Sequence, residues 1–268
     1  VPVQTDALMT AVAAPKSARA FTQTNVLVAG VDEIDHVRYD GELMYIANQD
    51  RIQIVRPDAA GSVPVSTLRV PGNDFSWSEG LYLYQSGAAS LLANVRSNAG
   101  TYWYANWFAP WSWSGKTRID IVNTDTAATP RLSSQLVIDG NYVNSRRVGK
   151  TLYLVTRFTP VVKDLIANPN TAADRDANRT RIARIAIRDV LPRLTFADGT
   201  SRPLVTTAEC FVPNRKSGDT IRYPTITTDT AIDLTAPSNF ASLCMPEGVY
   251  RMHVSRNAIY LAAYQSAA

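Results

Sequence analysis

HVRYDGELMYIA, residues 36–47, sets two short β-prone runs on either side of Asp40-Gly41. Asp-Gly between such runs is a strong local hairpin signal, because glycine takes positive φ freely and aspartate hydrogen-bonds the turn amides. The same strand, tight turn, strand unit returns as GLYLYQSGAASLLANV (80–95), YVNSRRVGKTLYLV (142–155) and YRMHVSRNAIYLA (250–262). Three of the four place an apolar-Tyr-apolar triplet in the second strand, at Tyr45, Tyr153 and Tyr260.

Further strands are predicted after the first three hairpins: RIQIVRP (51–57) and PVSTLRV (64–70), then TRIDIVN (117–123) and LSSQLVID (132–139). TRIARIAI (180–187) and TITTDTAIDL (225–234) are weaker candidates in the third unit. Antiparallel units of three or four strands, repeated along the chain, are the signature of propeller blades, in which radial repetition leaves few sheet edges open. The expected fold is therefore all-β: a β-propeller of antiparallel blades, incomplete at about three blades plus the start of a fourth. Residues 24–268 form this partial propeller, and residues 1–23, rich in Ala, Ser and Thr, form a flexible leader.

Composition narrows the function classes. With 46% hydrophobic and 19% charged residues the 268-residue chain is ordinary for a globular protein, and no apolar run approaches the roughly 20 residues that a membrane-spanning helix needs. The net charge of +4 hides an asymmetry: residues 1–100 hold seven basic and ten acidic side chains, residues 146–193 eleven basic and four acidic. No basic-aromatic module accompanies the surplus, so nucleic acid is not expected as a partner. The opening residues lack the pattern of a secretory signal, which is expected to have been removed already. Two cysteines, Cys210 and Cys244, exclude a four-cysteine zinc site; they form one disulfide in an exported chain or two buried thiols in a reduced one.

TNVLVAGVDEIDHVRYDGELMYIANQDRIQIVRPD (24–58) resembles the opening segment of a secreted bacterial β-propeller domain family distantly related to WD40 repeats, with its GVDEAD-type motif. DGNYVNSRRVGKTLYLVTRFTP (139–160) is similar to that family's DG-x-Y-x-x-SR-x-x-x-x-x-YLV element, and DVLPR (189–193) to its LP-containing connector. The family has Gln at the position of Leu27 and Ala at that of Ile34. The resemblance implies a propeller, located outside the cytoplasm in the medium, periplasm or cell envelope of a bacterium. It brings no catalytic residues with it. Family members run on for several more blades, so this chain resembles the N-terminal portion; a homo-oligomer, a second polypeptide completing the ring, or a fragment packed as three blades are the expected alternatives.

With strands lettered A to D outward from the axis, the B–C loops and the D-to-A crossovers lie on one face. YWYANWFAPWSW (102–113), seven aromatic rings in twelve residues, falls in the B–C loop of blade 2. Tyr102, Trp103, Tyr104, Trp107, Trp111 and Trp113 are the candidate binding residues, as a platform for a glycan or an extended peptide; a packed lid and a membrane-interface contact are the alternatives. Blade 3's B–C loop, placed at 158–179, opens the basic segment, and Arg175 and Arg179 join the candidate surface. Arg181, Arg184 and Arg188 are expected to face solvent, and the intervening isoleucines the core. Asp32, Glu33 and Asp35 of GVDEID are weak candidates for calcium; the alternative has these acids hydrogen-bonding turn amides or pairing with arginines such as Arg146 and Arg147.

Catalytic signatures are missing: there is no G-x-S-x-G elbow, H-E-x-x-H, C-x-x-C or phosphate-cradling glycine loop, and no cofactor is implied. His36 and His253 sit in first strands of hairpins, where a satisfied ring is commoner than an acid-base role. The expected function is an extracytoplasmic binding or scaffold module for a protein or glycan. The alternative is a polymer-acting hydrolase or lyase on the same face, which would need converging carboxylates or a metal beneath the aromatic loop.

Overall fold

The computed structural model describes residues 28–70, 75, 77–98, 115–166, 168–212, 225–255 and 257–263. The expected leader lies outside them. The first strand, β1 (Val31–Glu33), precedes the blades. Blade 1 is the antiparallel meander β2 (Val37–Tyr39), β3 (Met44–Ala47), β4 (Arg51–Asp58) and β5 (Gly61–Arg69). Its first turn follows the Asp-Gly logic: Gly41 has φ 101°, and Asp40 Oδ1 accepts from the Glu42 and Leu43 amides at 2.8 and 2.7 Å. The other Asp40 oxygen accepts from the Tyr45 hydroxyl at 2.8 Å, which ties the turn to the buried triplet.

Blade 2 comprises β6 (Trp77–Ser86), β7 (Ala89–Ser97), β8 (Lys116–Asn123) and β9 (Arg131–Asp139). Blade 3 begins with β10 (Asn141–Val148) and β11 (Thr151–Phe158). A long connection separates these from its outer pair, and it carries the helix α1 (Ala172–Ala183) and a hairpin of β12 (Arg193–Phe196) and β13 (Ser201–Pro203). The outer pair is β14 (Ile226–Asp233) and β15 (Phe240–Met245), and the hairpin β16 (Val249–Val254) and β17 (Ile259–Ala263) starts a fourth unit.

Successive blades pack face to face, and alternation within each strand divides its residues between two cores. Tyr45, Ile52 and Ile54 of blade 1 meet Leu81, Leu92 and Val122 of blade 2. Tyr82, Val95 and Ile119 on the opposite face of blade 2 meet Leu152, Leu154 and Ile232 of blade 3. Val155 and Tyr153 of blade 3 meet Val249, Met252 and Leu261 of the last hairpin. Tyr45 and Tyr153 of the triplets thus share one role: each faces the next unit along the chain. Tyr260, which pairs with His253 on the outward face of the last hairpin, is 60% exposed.

The third unit departs from expectation. Its B–C connection runs over 159–225, not 158–179, and TRIARIAI enters no sheet: α1 covers its first half and a 3-10 turn, Ile187–Asp189, its end. Thr171 and Asp174 form a capping box, with reciprocal bonds of 3.1 and 3.0 Å, and this starts the helix where alternation alone suggested a strand. Ile182 and Ile187 do not point into a core, being 53% and 61% exposed, and Ile185 is half-buried. The helix buries Asn178 instead, whose amide bonds both the N–H and the C=O of Ile166 at 2.9 Å. After it, β12 pairs with β9 and widens blade 2 to six strands.

Candidate functional site

The acidic opening segment lies where the innermost strands meet. β1 pairs antiparallel with β10 of blade 3, Asp35 then bridges Leu81 of blade 2 through backbone bonds of 2.7 and 3.4 Å, and the chain turns into β2 of blade 1. Six residues thereby stitch three blades together. The crossing is close: a Cβ on Gly80 would stand 2.8 Å from the carbonyl carbon and oxygen of Asp35, and Gly80 has φ 133°.

Charges complete this junction. Asp32 accepts from Arg38 Nη1 at 3.0 Å and from Arg147 Nε and Nη2 at 3.1 and 2.9 Å, while Glu33 pairs with Arg146 at 3.4 Å. Arg38 also donates to the carbonyls of Leu81 and Glu33 and lies over the Tyr82 ring at 5.6 Å. The Tyr82 and Tyr142 hydroxyls share the Ser145 hydroxyl at 2.8 and 3.1 Å. Burial pushes the Tyr142 phenol up to about 12 and that of Tyr82 higher still, so both serve as neutral hydrogen-bonding groups. Asp35 accepts from the Val37 amide at 3.4 Å. Two of the three calcium candidates are thus committed to arginines, and among the described residues no group of three or more His, Cys, Asp or Glu side chains is placed to hold a metal.

A second charged cluster, which alternation did not single out, lies between blades 1 and 2. Arg96 of β7 and Arg118 and Asp120 of β8 are 2%, 2% and 0% exposed. Asp120 Oδ1 accepts from Arg118 Nε at 2.7 Å and Gln135 Nε2 at 3.0 Å, and its Oδ2 stands 4.0 Å from Arg96 Nη1. Arg96 Nη2 donates to the carbonyls of Gln49 and Phe75, and Arg118 lies over the Phe75 ring at 5.7 Å. Burial raises the Asp120 carboxyl, and the two arginines work against that rise. Arg96 Nε and Nη1, Arg118 Nη2 and Asp120 Oδ2 have no hydrogen-bond partner among the described residues. The signal was present in NVR (94–96) and RID (118–120), where polar residues alternate with buried Val95 and Ile119 in strands covered on both faces.

The six aromatic candidates, Tyr102, Trp103, Tyr104, Trp107, Trp111 and Trp113, lie outside the described residues. Their anchor points do not. Asn98 and Lys116 close the two strands with bonds of 3.4 and 2.7 Å, directly after Arg96 on β7 and before Arg118 on β8, so the 99–114 connection departs and returns at the edge of the buried arginine cluster. Arg175 and Arg179 are on α1; Arg175 donates weakly to the Pro169 and Asn170 carbonyls and Arg179 pairs with Asp176 at 3.1 Å, both in solvent. The structure shows no convergence of these arginines with the first cluster or the second. Cys210 and Cys244 are bonded to each other, with Cα atoms 4.4 Å apart. The bond fastens the end of the long connection to β15, next to the Phe211 N–H donated to the Cys244 carbonyl at 2.7 Å.

Comparison with known proteins agrees with this architecture. The family described as Beta propeller domain matches residues 21–268. The chain belongs to that family. An uncharacterized protein of Methanocaldococcus jannaschii is 28% identical over 148 residues, which is 55% of this chain and 19% of that protein; the propeller chain thus corresponds to a small part of this relative's length. No solved structure matches.

Proposed function

We propose that this propeller is an extracytoplasmic binding or scaffold module whose B–C face meets a protein or glycan partner. One observation carries the reading: the B–C connections of blades 2 and 3, residues 98–115 and 159–225, are long, whereas the other turns of these blades are short. Binding residues concentrate on long loops held by a rigid scaffold. Asp120, in the strand that leaves the aromatic loop, is held by two arginines and a glutamine, and Glu79, at the loop's base, accepts from the Ser97 hydroxyl at 2.6 Å; both carboxylates thus have structural partners, which favours binding over acid-base hydrolysis. The Cys210–Cys244 bond suits an oxidising compartment. In the same reading, a further sheet covers the outward face of β16–β17, where Tyr260 is exposed.

The test replaces Trp103, Trp107 and Trp111 with alanine and measures thermal stability together with binding to a glycan and peptide panel. The platform reading expects binding to fall at least tenfold with little change in melting temperature. Unchanged binding with a large loss of stability leaves these rings a structural lid.

A further inference from the structure

At the outer rim, the inserted hairpin β12–β13 on blade 2 faces the turns of blade 3 across an open groove of about 510 Å³, lined by Arg202, Thr151, Asp233, Ser238, Asn239 and Phe240 among others. This is within the roughly 300–1,000 Å³ of small-molecule sites. Arg202 lies against two rings, 4.9 Å from the Phe196 centroid and 4.6 Å from that of Phe240, and its Nη2 donates to the Ser238 carbonyl at 2.6 Å. These contacts fix the guanidinium in place. Its other N–H groups have no acceptor among the described residues. Lys150 and Asp233 neutralise each other at 2.8 Å, and that pair, with the Thr235 hydroxyl, draws the Asp233 carboxyl down to about 2. Arg202 is therefore the uncompensated charge of the lining.

We propose that this groove binds an acidic sugar, a hexuronate residue of a glycan, through its carboxylate. A guanidinium held in one plane offers parallel N–H groups that match a carboxylate, and it loses little freedom on binding. The hydroxyls of Thr151 and Ser238 and the amide of Asn239 make no side-chain hydrogen bond among the described residues and are available to ring hydroxyls. The lining sets hydroxyl and amide groups beside Ala231, Phe240 and Ala241 around a single fixed cation, which matches the hydroxyls, the C–H face and the carboxylate of one acidic sugar ring. Arg202 belongs to the 159–225 connection, but the rest of the lining comes from β11, β14, β15 and the turn between the last two, so this proposal and the tryptophan test fail separately.

The experiment titrates the whole chain with trigalacturonate, with the neutral galactose trimer, and with N-acetylated trialanine bearing a free C-terminal carboxylate, following binding by calorimetry at low salt. Trigalacturonate is expected to bind at least tenfold tighter than either comparator. Arg202→Met is expected to weaken it at least tenfold and Arg202→Lys by several-fold, since lysine keeps the charge and loses the fork. Asn239→Asp, an exposed turn substitution that sets a carboxylate against the ligand's, is expected to weaken it about tenfold, and it decides the matter if Arg202→Met does not melt as a folded protein. The proposal is overturned if trigalacturonate does not bind at millimolar concentration, if the neutral trimer binds as well, if the peptide binds more tightly, or if the folded variants bind like the parent.

Discussion

The two arginine–aspartate clusters use the same side chains and reach opposite degrees of satisfaction. At the junction of the inner strands, Asp32 accepts three guanidinium bonds, and Arg38 and Arg147 have backbone carbonyls as well. Between blades 1 and 2, Arg96, Arg118 and Asp120 are more deeply buried and retain polar atoms with no partner among the described residues. Asp32 turns one oxygen to Arg38 and the other to Arg147, whereas Asp120 gives Oδ1 to Arg118 and Gln135 and leaves Oδ2 4.0 Å from Arg96. The orientation of the shared carboxylate, more than residue type, sets how a buried charge is served.

The sharpest way to break this comparison is at Asp120. Asp120→Leu leaves two guanidiniums in a dry interface, and removal of one partner of a buried pair costs about 3–5 kcal/mol. Urea unfolding should show a loss near the upper part of that range. Replacing all three residues together, as Arg96→Met, Arg118→Leu and Asp120→Leu, should recover most of the loss, because an apolar set of similar volume has no charge to solvate. If the triple variant is as unstable as the single one, the guanidiniums have a structural role beyond balancing Asp120.

Asp229 on β14 carries the comparison to a carboxylate with no arginine. In the register it lies between Val155 and Leu243, its Oδ1 has no hydrogen-bond partner among the described residues, and burial lifts the carboxyl to about 6. The folded state therefore holds this proton more tightly than the unfolded chain, so stability falls as pH rises from about 4 through 6 and the loss is complete above that. Asp229→Asn should stabilise the protein at pH 7 by about 2 kcal/mol and flatten this part of the pH profile. A profile unchanged by the substitution would show that Asp229 binds its proton equally in the folded and unfolded chain.

These contrasts also explain what could be read from the sequence. The hairpins were legible because Asp40-Gly41 and its relatives are local: turn chemistry and flanking alternation lie within a dozen residues. The pairing of GVDEID with Arg146 and Arg147 was legible as one alternative, since acids that enter a sheet beside arginines have few other partners. The Arg96–Asp120 contact was not, because it depends on β7–β8 register across a connection of 18 residues, 98–115, and on blade 1 covering a face that alternation reads as solvent. The β12–β13 hairpin was missed for a related reason. Its partner, β9, lies more than fifty residues upstream, and RLTF alone has no pattern that names it.

The smallest effect is expected at the junction itself. Asp32 is 18% exposed, as is Arg147, so water and salt share in solvating the pair. Asp32→Asn keeps one side-chain acceptor for the guanidiniums, and each arginine retains a carbonyl partner, Leu81 and Glu33 for Arg38 and Gly149 for Arg147. The loss should be about 1 kcal/mol, reduced further in 0.5 M salt, where an equivalent change at Asp120 would be insensitive to salt because ions cannot reach it. Measured side by side at two ionic strengths, the two substitutions separate a solvent-shared pair from a sequestered one. An equal salt response would mean that solvent reaches Asp120 as readily as Asp32, and that the orphaned arginine donors are hydrated.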